Sequence, residues 1–189
     1  MPEVTNQNNA ANVSTGKPKI TGAIFTAPEG TPLPTDEKTA LNAAFVCLGY
    51  ASEDGVTNGI TRDSDKVKAW GGDTVLTPQT EYEETFGFKL IEAVRKEVLQ
   101  VVYGESNVTE DSTNKLRTTK ANSAELEKRS WIFDMVMSGR KARRIVVPSA
   151  KVTEIGDVVY VDNDPVSYEL TVTATPDSSS NTSYIYDAL

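Results

Sequence analysis

Histidine is absent from all 189 residues. With it go the commonest general base, the usual imidazole ligand for metals and the middle member of most nucleophilic triads. Any chemistry would fall to carboxylates, lysines or the single thiol. Cys47 sits in the apolar run from Ala43 to Leu48 and reads as a small buried hydrophobe; alone, it forms no internal disulfide. Glu83 and Glu84 are neighbours on an extended segment, where successive side chains point to opposite faces, so they do not make a working carboxylate pair. Asp162-Asn-Asp164 resembles a fragment of a calcium loop, but the required glycine and the downstream bidentate glutamate are missing, and a plain turn is expected. The glycines at 22, 30, 49, 55 and 59 are not followed by a Lys-Ser/Thr pair at phosphate-cradling spacing, and no Gly-x-Ser-x-Gly elbow occurs. Gly139-Arg-Lys-Ala-Arg-Arg144 has the charge of a nucleic-acid patch without its interleaved aromatics. Arg140, Arg143 and Arg144 therefore read as interfacial or solvated arginines. Asn12, Asn107 and Asn181 head glycosylation triplets that mean something only in a secreted chain. Carboxylate-dependent glycoside cleavage is the one reaction type left open. The expectation is a non-enzyme with no metal and no cofactor.

Composition bounds the rest. A chain 38% hydrophobic over 189 residues supports one sizeable domain with its own core. No stretch of about 18 apolar residues offers a membrane span, and the N-terminus lacks signal-peptide features, so a soluble intracellular product without membrane contact is expected. Net charge is −8, unevenly spread. Residues 115–151 hold ten of the nineteen basic residues and three acids, a local +7, which leaves −15 for the remainder. Such a chain either associates head to tail with copies of itself or folds the two sets close enough to cancel.

The elements that would hold these residues are mostly strands. Residues 1–18, rich in Asn, Thr, Ser and Gln, read as a free N-terminal arm, and 19–189 as one domain. Strands are expected over Ile20–Thr26 and Ala44–Tyr50, the latter buried on both faces. A turn-rich excursion over 53–78 follows, tipped by a hairpin at Lys66–Thr77 around Gly71-Gly72. In the next strand Tyr82, Glu84, Phe86 and Phe88 share one face by the period of two. A helix is expected from Leu90 to Tyr103, with an apolar stripe that includes Val94, Val98, Val101 and Val102, a Glu92–Lys96 pair and a stop at Gly104. Further strands are expected at 115–120, 129–136, 142–148, 157–162, 166–175 and 183–187. About ten short strands and one packed helix predict a mainly β fold, a β-sandwich or rolled β-barrel. The excursion is expected to reach another subunit through Trp70, Gly71, Gly72, Asp73 and Val75, because Trp70 and Val75 otherwise lack cover; the alternative is that Trp70 folds back on its own sheet.

Taken in order, the chain resembles the major tail (tail tube) proteins of long, flexible-tailed bacteriophages. The residues that carry this are Gly22-Ala-Ile-Phe-Thr-Ala-Pro-Glu-Gly-Thr-Pro-Leu-Pro-Thr35, Phe45–Val56, Lys68-Ala-Trp-Gly-Gly-Asp73, Glu84–Glu92, Tyr103–Val108, Trp131-Ile-Phe-Asp134, Arg144-Ile-Val-Val-Pro148 and Thr173–Asp177. The set spans about residues 20–187. The resemblance implies a β domain with one flanking helix, assembled as hexameric rings stacked into a tube. It also implies a tape-measure protein inside, tail terminator and tail-tip proteins at the ends, and phage DNA passing the lumen without specific binding. The product would reside in the virion, and in the host cytoplasm before assembly. A terminator or other ring-forming tail subunit, and a host-surface binding module, are the competing expectations.

Overall fold

The computed structural model describes residues 8–20 and 22–188. Thirteen strands and one α-helix fall in the order β1 (Gly16–Pro18), β2 (Ile24–Pro28), β3 (Val46–Cys47), β4 (Ala51–Ser64), β5 (Val67–Lys68), β6 (Thr74–Leu76), β7 (Gln79–Leu90), α1 (Lys96–Tyr103), β8 (Val108–Asp111), β9 (Leu116–Thr119), β10 (Arg129–Met137), β11 (Lys141–Ile155), β12 (Tyr168–Ala174) and β13 (Tyr184–Asp187). One antiparallel sheet runs β3-β2-β10-β11-β12-β7-β4. β1 extends the β2 edge of β10, and β13 pairs with the first part of β11 before β12 takes over. The fold is thus mainly β with one helix. Of the expected alternatives, a closed barrel is not formed, because β3 and β4 stand at the two ends of the path.

The sheet is instead curled until its inner faces meet. Phe86 of β7 stacks on Phe133 of β10 with ring centroids 5.1 Å apart, and Phe88 lies against both Trp131 and Phe133 at 5.6 and 5.7 Å. These rings form the centre of the core. Val98, Val101 and Val102 of α1 close it from one side, which holds a valine-rich helix that its own propensity would not sustain. On the outer face of β10 and β11, Ile132 and Val146 are covered by Phe45 and by Leu33 and Leu41 of the loop 29–45. That is why Trp131-Ile132-Phe133 is buried on both faces, whereas β12 alternates with Tyr168, Leu170, Val172 and Ala174 inward.

Several expectations are corrected. Glu53–Gly59 is strand, not turn: β4 is 14 residues long and its only irregularity near the start is a register break between Ala51 and Val56, where Gly55 takes φ +74°. The helix begins at Lys96, six residues later than its periodicity suggests. Leu90 is spent in β7 opposite Tyr168 and Ala51, and Ile91 donates its N–H to the Tyr50 carbonyl. Glu92 pairs with Arg95 at 2.9 Å instead of Lys96, which reaches Glu110. The 44–50 strand shrinks to Val46–Cys47, with Cys47 half-buried. Residues 157–162 form no strand, because no neighbouring strand offers them hydrogen bonds. The arm is tied by Ser14 and Thr15 to Ser138, and from Gly16 by β1 to β10; residues 1–7 lie outside those described.

Candidate assembly surface

β4 and β7 make a hairpin much longer than the body needs. Thr85–Leu90 is held by β12 on one side and β4 on the other, but Gln79–Glu84 pairs with β4 alone. Every residue from Ile60 to Glu83 is exposed. A two-stranded ribbon on its own is marginally stable in water, so such a projection needs a firm root. Glu84 supplies it. Its carboxylate is 3% exposed and accepts hydrogen bonds from Asn58 Nδ2 and Ser183 Oγ, each at 2.9 Å, and from Thr182 Oγ1. The hairpin base is thereby stitched to the segment leading into β13.

Directly opposed residues share a face. One face of the hairpin therefore carries Asn58/Phe86, Ile60/Glu84 and Arg62/Tyr82. It begins in the core and runs out into solvent, where the Arg62 guanidinium lies 4.5 Å from the Tyr82 ring centre. The other face carries Thr61/Glu83 and Asp63/Glu81, an acidic strip with two carboxylates directly opposed, an arrangement that destabilises the isolated hairpin. At the tip, Gly72 N–H donates to Ala69 O at 3.0 Å and Ala69 N–H to Asp73 O at 2.8 Å. Gly71 and Gly72 have φ of +116° and +101°, which β-carbon-bearing residues rarely adopt. This turn presents Trp70 fully to solvent, flanked by exposed Val67, Val75 and Leu76. Trp70 does not fold back on its own sheet.

Trp70, Gly71, Gly72, Asp73 and Val75 are thus together on one tip. The three arginines lie on a different element, the β10–β11 hairpin, and do not share one environment. Arg140 is exposed at the Ser138–Arg140 turn with φ +64°. Arg143 is bidentate to Asp187 at 2.5 and 2.7 Å; each raises or lowers the other's pKa toward the charged form, Arg143 upward and Asp187 downward, chiefly through these hydrogen bonds. Arg144 is removed from the exposed set altogether. It is 2% exposed and bidentate to the buried Asp134 at 2.6 and 2.8 Å, and its Nη1 donates to the Asp36 and Thr39 carbonyls. The Asp134 carboxylate raises the Arg144 pKa further, against the opposing effect of burial. Arg144 is an internal strut that pins the loop 29–45, because an unpaired Asp134 in that position would be costly.

Three more of the ten basic residues in the stretch are paired: Arg117 with Glu110, Arg129 with Glu105, and Lys151 with Glu125. Sequence reasoning missed both buried carboxylates, although each stands as the lone acid on an apolar face, Asp134 with Ile132 and Val136 on the outer face of β10 and Glu84 with Phe86 and Phe88 on the inner face of β7. It also missed a second exposed apolar group, Tyr50, Val94, Ile155 and Val159–Val161. Among the described residues no three Cys, Asp or Glu side chains cluster as a metal site, and no helix is long and apolar enough to cross a membrane.

A curled β domain with exposed apolar side chains on a long projecting hairpin has the make-up of a structural protein that meets other chains. The phage tail tube protein family model matches residues 7–187, and the chain belongs to that family. It is a structural component of the phage tail and hence of the virion. No curated protein matches the sequence. Among solved structures, a chain of the sheath-tube complex of an extracellular contractile injection system in its extended state aligns at TM-score 0.45 and 8% identity, over 91% of this chain and 93% of that one. A chain of the tube-terminating cap of an anti-feeding prophage aligns at TM-score 0.46 and 12% identity, over 98% and 99%. A chain of the sheath/tube terminator of an extended contractile injection system aligns at 0.43 and 10%, over 89% and 96%.

Proposed function

We propose that copies of this chain assemble into hexameric rings that stack into the tail tube of a long, flexible-tailed phage, the conduit through which DNA is ejected into the host. The observation that carries the reading is the hairpin exposed from Ile60 to Glu83, with Ile60, Val67, Trp70, Val75 and Leu76 in solvent. Each such side chain contributes about 1.5–3 kcal/mol when fully buried, which a partner subunit would supply. Trp70, Gly71, Gly72, Asp73, Val75 and the exposed Arg140 are the proposed contacts; Arg143 joins them only if its Asp187 partner is shared. Edge strand β4, paired on one side only, offers a further row of backbone groups for a lateral neighbour.

The acidic strip of Asp63, Glu81 and Glu83 fits a lumen wall that repels phosphate and lets DNA slide, the reverse of a basic binding groove. A tape-measure protein inside the tube, and terminator and tail-tip proteins at its ends, complete the proposed partners. Subunits would wait in the host cytoplasm before assembly. Electron microscopy of the concentrated protein tests the reading. Rings or tubes are expected; monomers at every salt and concentration, even with tail partners present, would sink it.

A further inference from the structure

We propose that the surface formed by Tyr50, Val94, the segment Val159–Val161 and Pro165 is the socket that receives the β4–β7 hairpin tip of the next copy along the tube. The inference rests on the head-to-tail assembly proposed above and adds the receiving surface, which that reading leaves unspecified.

Sixteen large apolar residues are exposed among those described, and twelve fall into two groups: Ile60, Val67, Trp70, Val75, Leu76 and Tyr82 on the hairpin, and Tyr50, Val94, Ile155, Val159, Tyr160 and Val161 elsewhere. Register places the groups at opposite ends of the molecule. Leu90, the last residue of β7, is opposite Ala51 and Tyr168, so Tyr50, the turn 91–95 and the loop 156–167 all meet at that end. Twelve residues of β7 separate them from the tip, about 40 Å at strand rise. The two groups cannot cover each other within one copy, and they are different surfaces, so a contact between them is heterologous and propagates.

The socket has the character of an unfinished layer. Val158 packs on the core while Val159, Tyr160 and Val161 face solvent, strand-type residues without a strand beside them. Val94 and Pro165 line one shallow depression there. Charge fits the same pairing. The loop 156–167 holds Asp157, Asp162 and Asp164 and no cation. At the tip's end, where β11 starts and β10 finishes, stand exposed Arg140, Lys141 and Lys17. Stacked copies would set that basic end over the acidic one.

The experiment is disulfide trapping in the full chain with Cys47→Ala, comparing Trp70→Cys plus Tyr160→Cys with each single replacement. Oxidised tubes of the double variant should run as an open ladder of linked copies on denaturing gels, and the singles as monomers. Tubes that form without a ladder overturn the socket and leave the assembly reading intact. If the unmodified protein forms neither rings nor tubes, that reading fails and takes the socket with it. A second measurement covers cysteine variants that do not assemble: Tyr160→Glu should raise the concentration needed for tube formation at least tenfold, while Ile185→Glu, exposed on β13 opposite Ile145 and in neither apolar group, should leave it within twofold. Equal effects of the two, or none from Tyr160→Glu, also overturn the socket.

Discussion

Replacing Arg144 by methionine tests whether the buried ion pair, rather than apolar contact alone, fixes the loop 29–45. Asp134 is 5% exposed and takes two hydrogen bonds from Arg144, at 2.6 and 2.8 Å. Its remaining cationic neighbour, Lys19, is 3.5 Å away with a side chain 41% exposed, and offers only screened compensation. Removing one member of a buried pair generally costs about 3–5 kcal/mol, and Lys19 places the expected loss near the lower end, about 3 kcal/mol. In a chain of this size each kcal/mol moves the midpoint by about 2–4 °C, so Tm should fall by roughly 6–12 °C. Urea unfolding followed by the fluorescence of the fully buried Trp131 measures the loss. The double variant Asp134→Leu/Arg144→Met should recover most of it, since two apolar groups leave no buried charge. The loop supplies an independent readout. Arg144 Nη1 holds the Asp36 and Thr39 carbonyls, so trypsin should cut after the exposed Lys38 faster in Arg144→Met. A loss below about 1 kcal/mol with unchanged cleavage would refute the strut.

Glu84→Ala leaves Asn58, Thr182 and Ser183 without their shared acceptor; a loss of about 2 kcal/mol is expected from unsatisfied donors, with faster amide exchange at 184–187 and in the outer hairpin, and unchanged exchange there would contradict the root described for Glu84. Gly49→Ala combines φ +82° with a β-carbon 2.2 Å from the Glu92 carboxyl carbon. It should displace Glu92 from the Tyr50 N–H and cost about 2 kcal/mol or more of unfolding free energy, measured by urea denaturation. Stability should be flat from pH 8 to 5, because no histidine titrates, and should decline as pH falls below about 4. The carboxylates of Glu92 and Asp187 are held below their usual values by hydrogen bonds from Arg95 and Arg143, so their contribution is present above the unfolded pKa and lost as acid protonates the folded form. Constant unfolding midpoints down to pH 3 would contradict this.

The inner face of the sheet was legible because period-two alternation reports it directly: Glu84, Phe86 and Phe88, and Tyr168 through Ala174, point inward as their spacing requires. The tip was legible from Gly71-Gly72, whose conformations few other residues adopt. What failed was everything decided by a distant partner. Glu53-Asp-Gly-Val-Thr-Asn-Gly has the composition of a turn, yet β7 pairs with Ala51 and continuously from Val56 onward, and a ladder outweighs local preference. Val158-Val-Tyr-Val161 has the composition of a strand and finds no neighbour. The 3.6-residue spacing of Leu90, Ile91 and Val94 was extended into α1 although Leu90 belongs to β7. Arg144 could not be told from Arg140 or Arg143 by type; only Asp134, ten residues back across the hairpin, separates a buried strut from a surface charge.

The same contrast bears on how the exposed hairpin would avoid indiscriminate pairing with other copies. A long, flat, apolar edge invites pairing with any copy in any register, but here apolar and acidic residues occupy opposite faces of the ribbon, and Asp63 faces Glu81 where a neutral pair would be more stable. A second hairpin laid with its acidic face on this one would bring carboxylates against carboxylates, which costs energy at low salt and fades within a Debye length of about 8–10 Å. Pairing through the acidic faces is therefore disfavoured, while the proposed contact between tip and far end would bring Asp157, Asp162 and Asp164 toward the basic turn at Arg140 and Lys141. One charge pattern would thus penalise a symmetric pairing through the acidic faces and favour the proposed open contact, and only an open contact extends a filament.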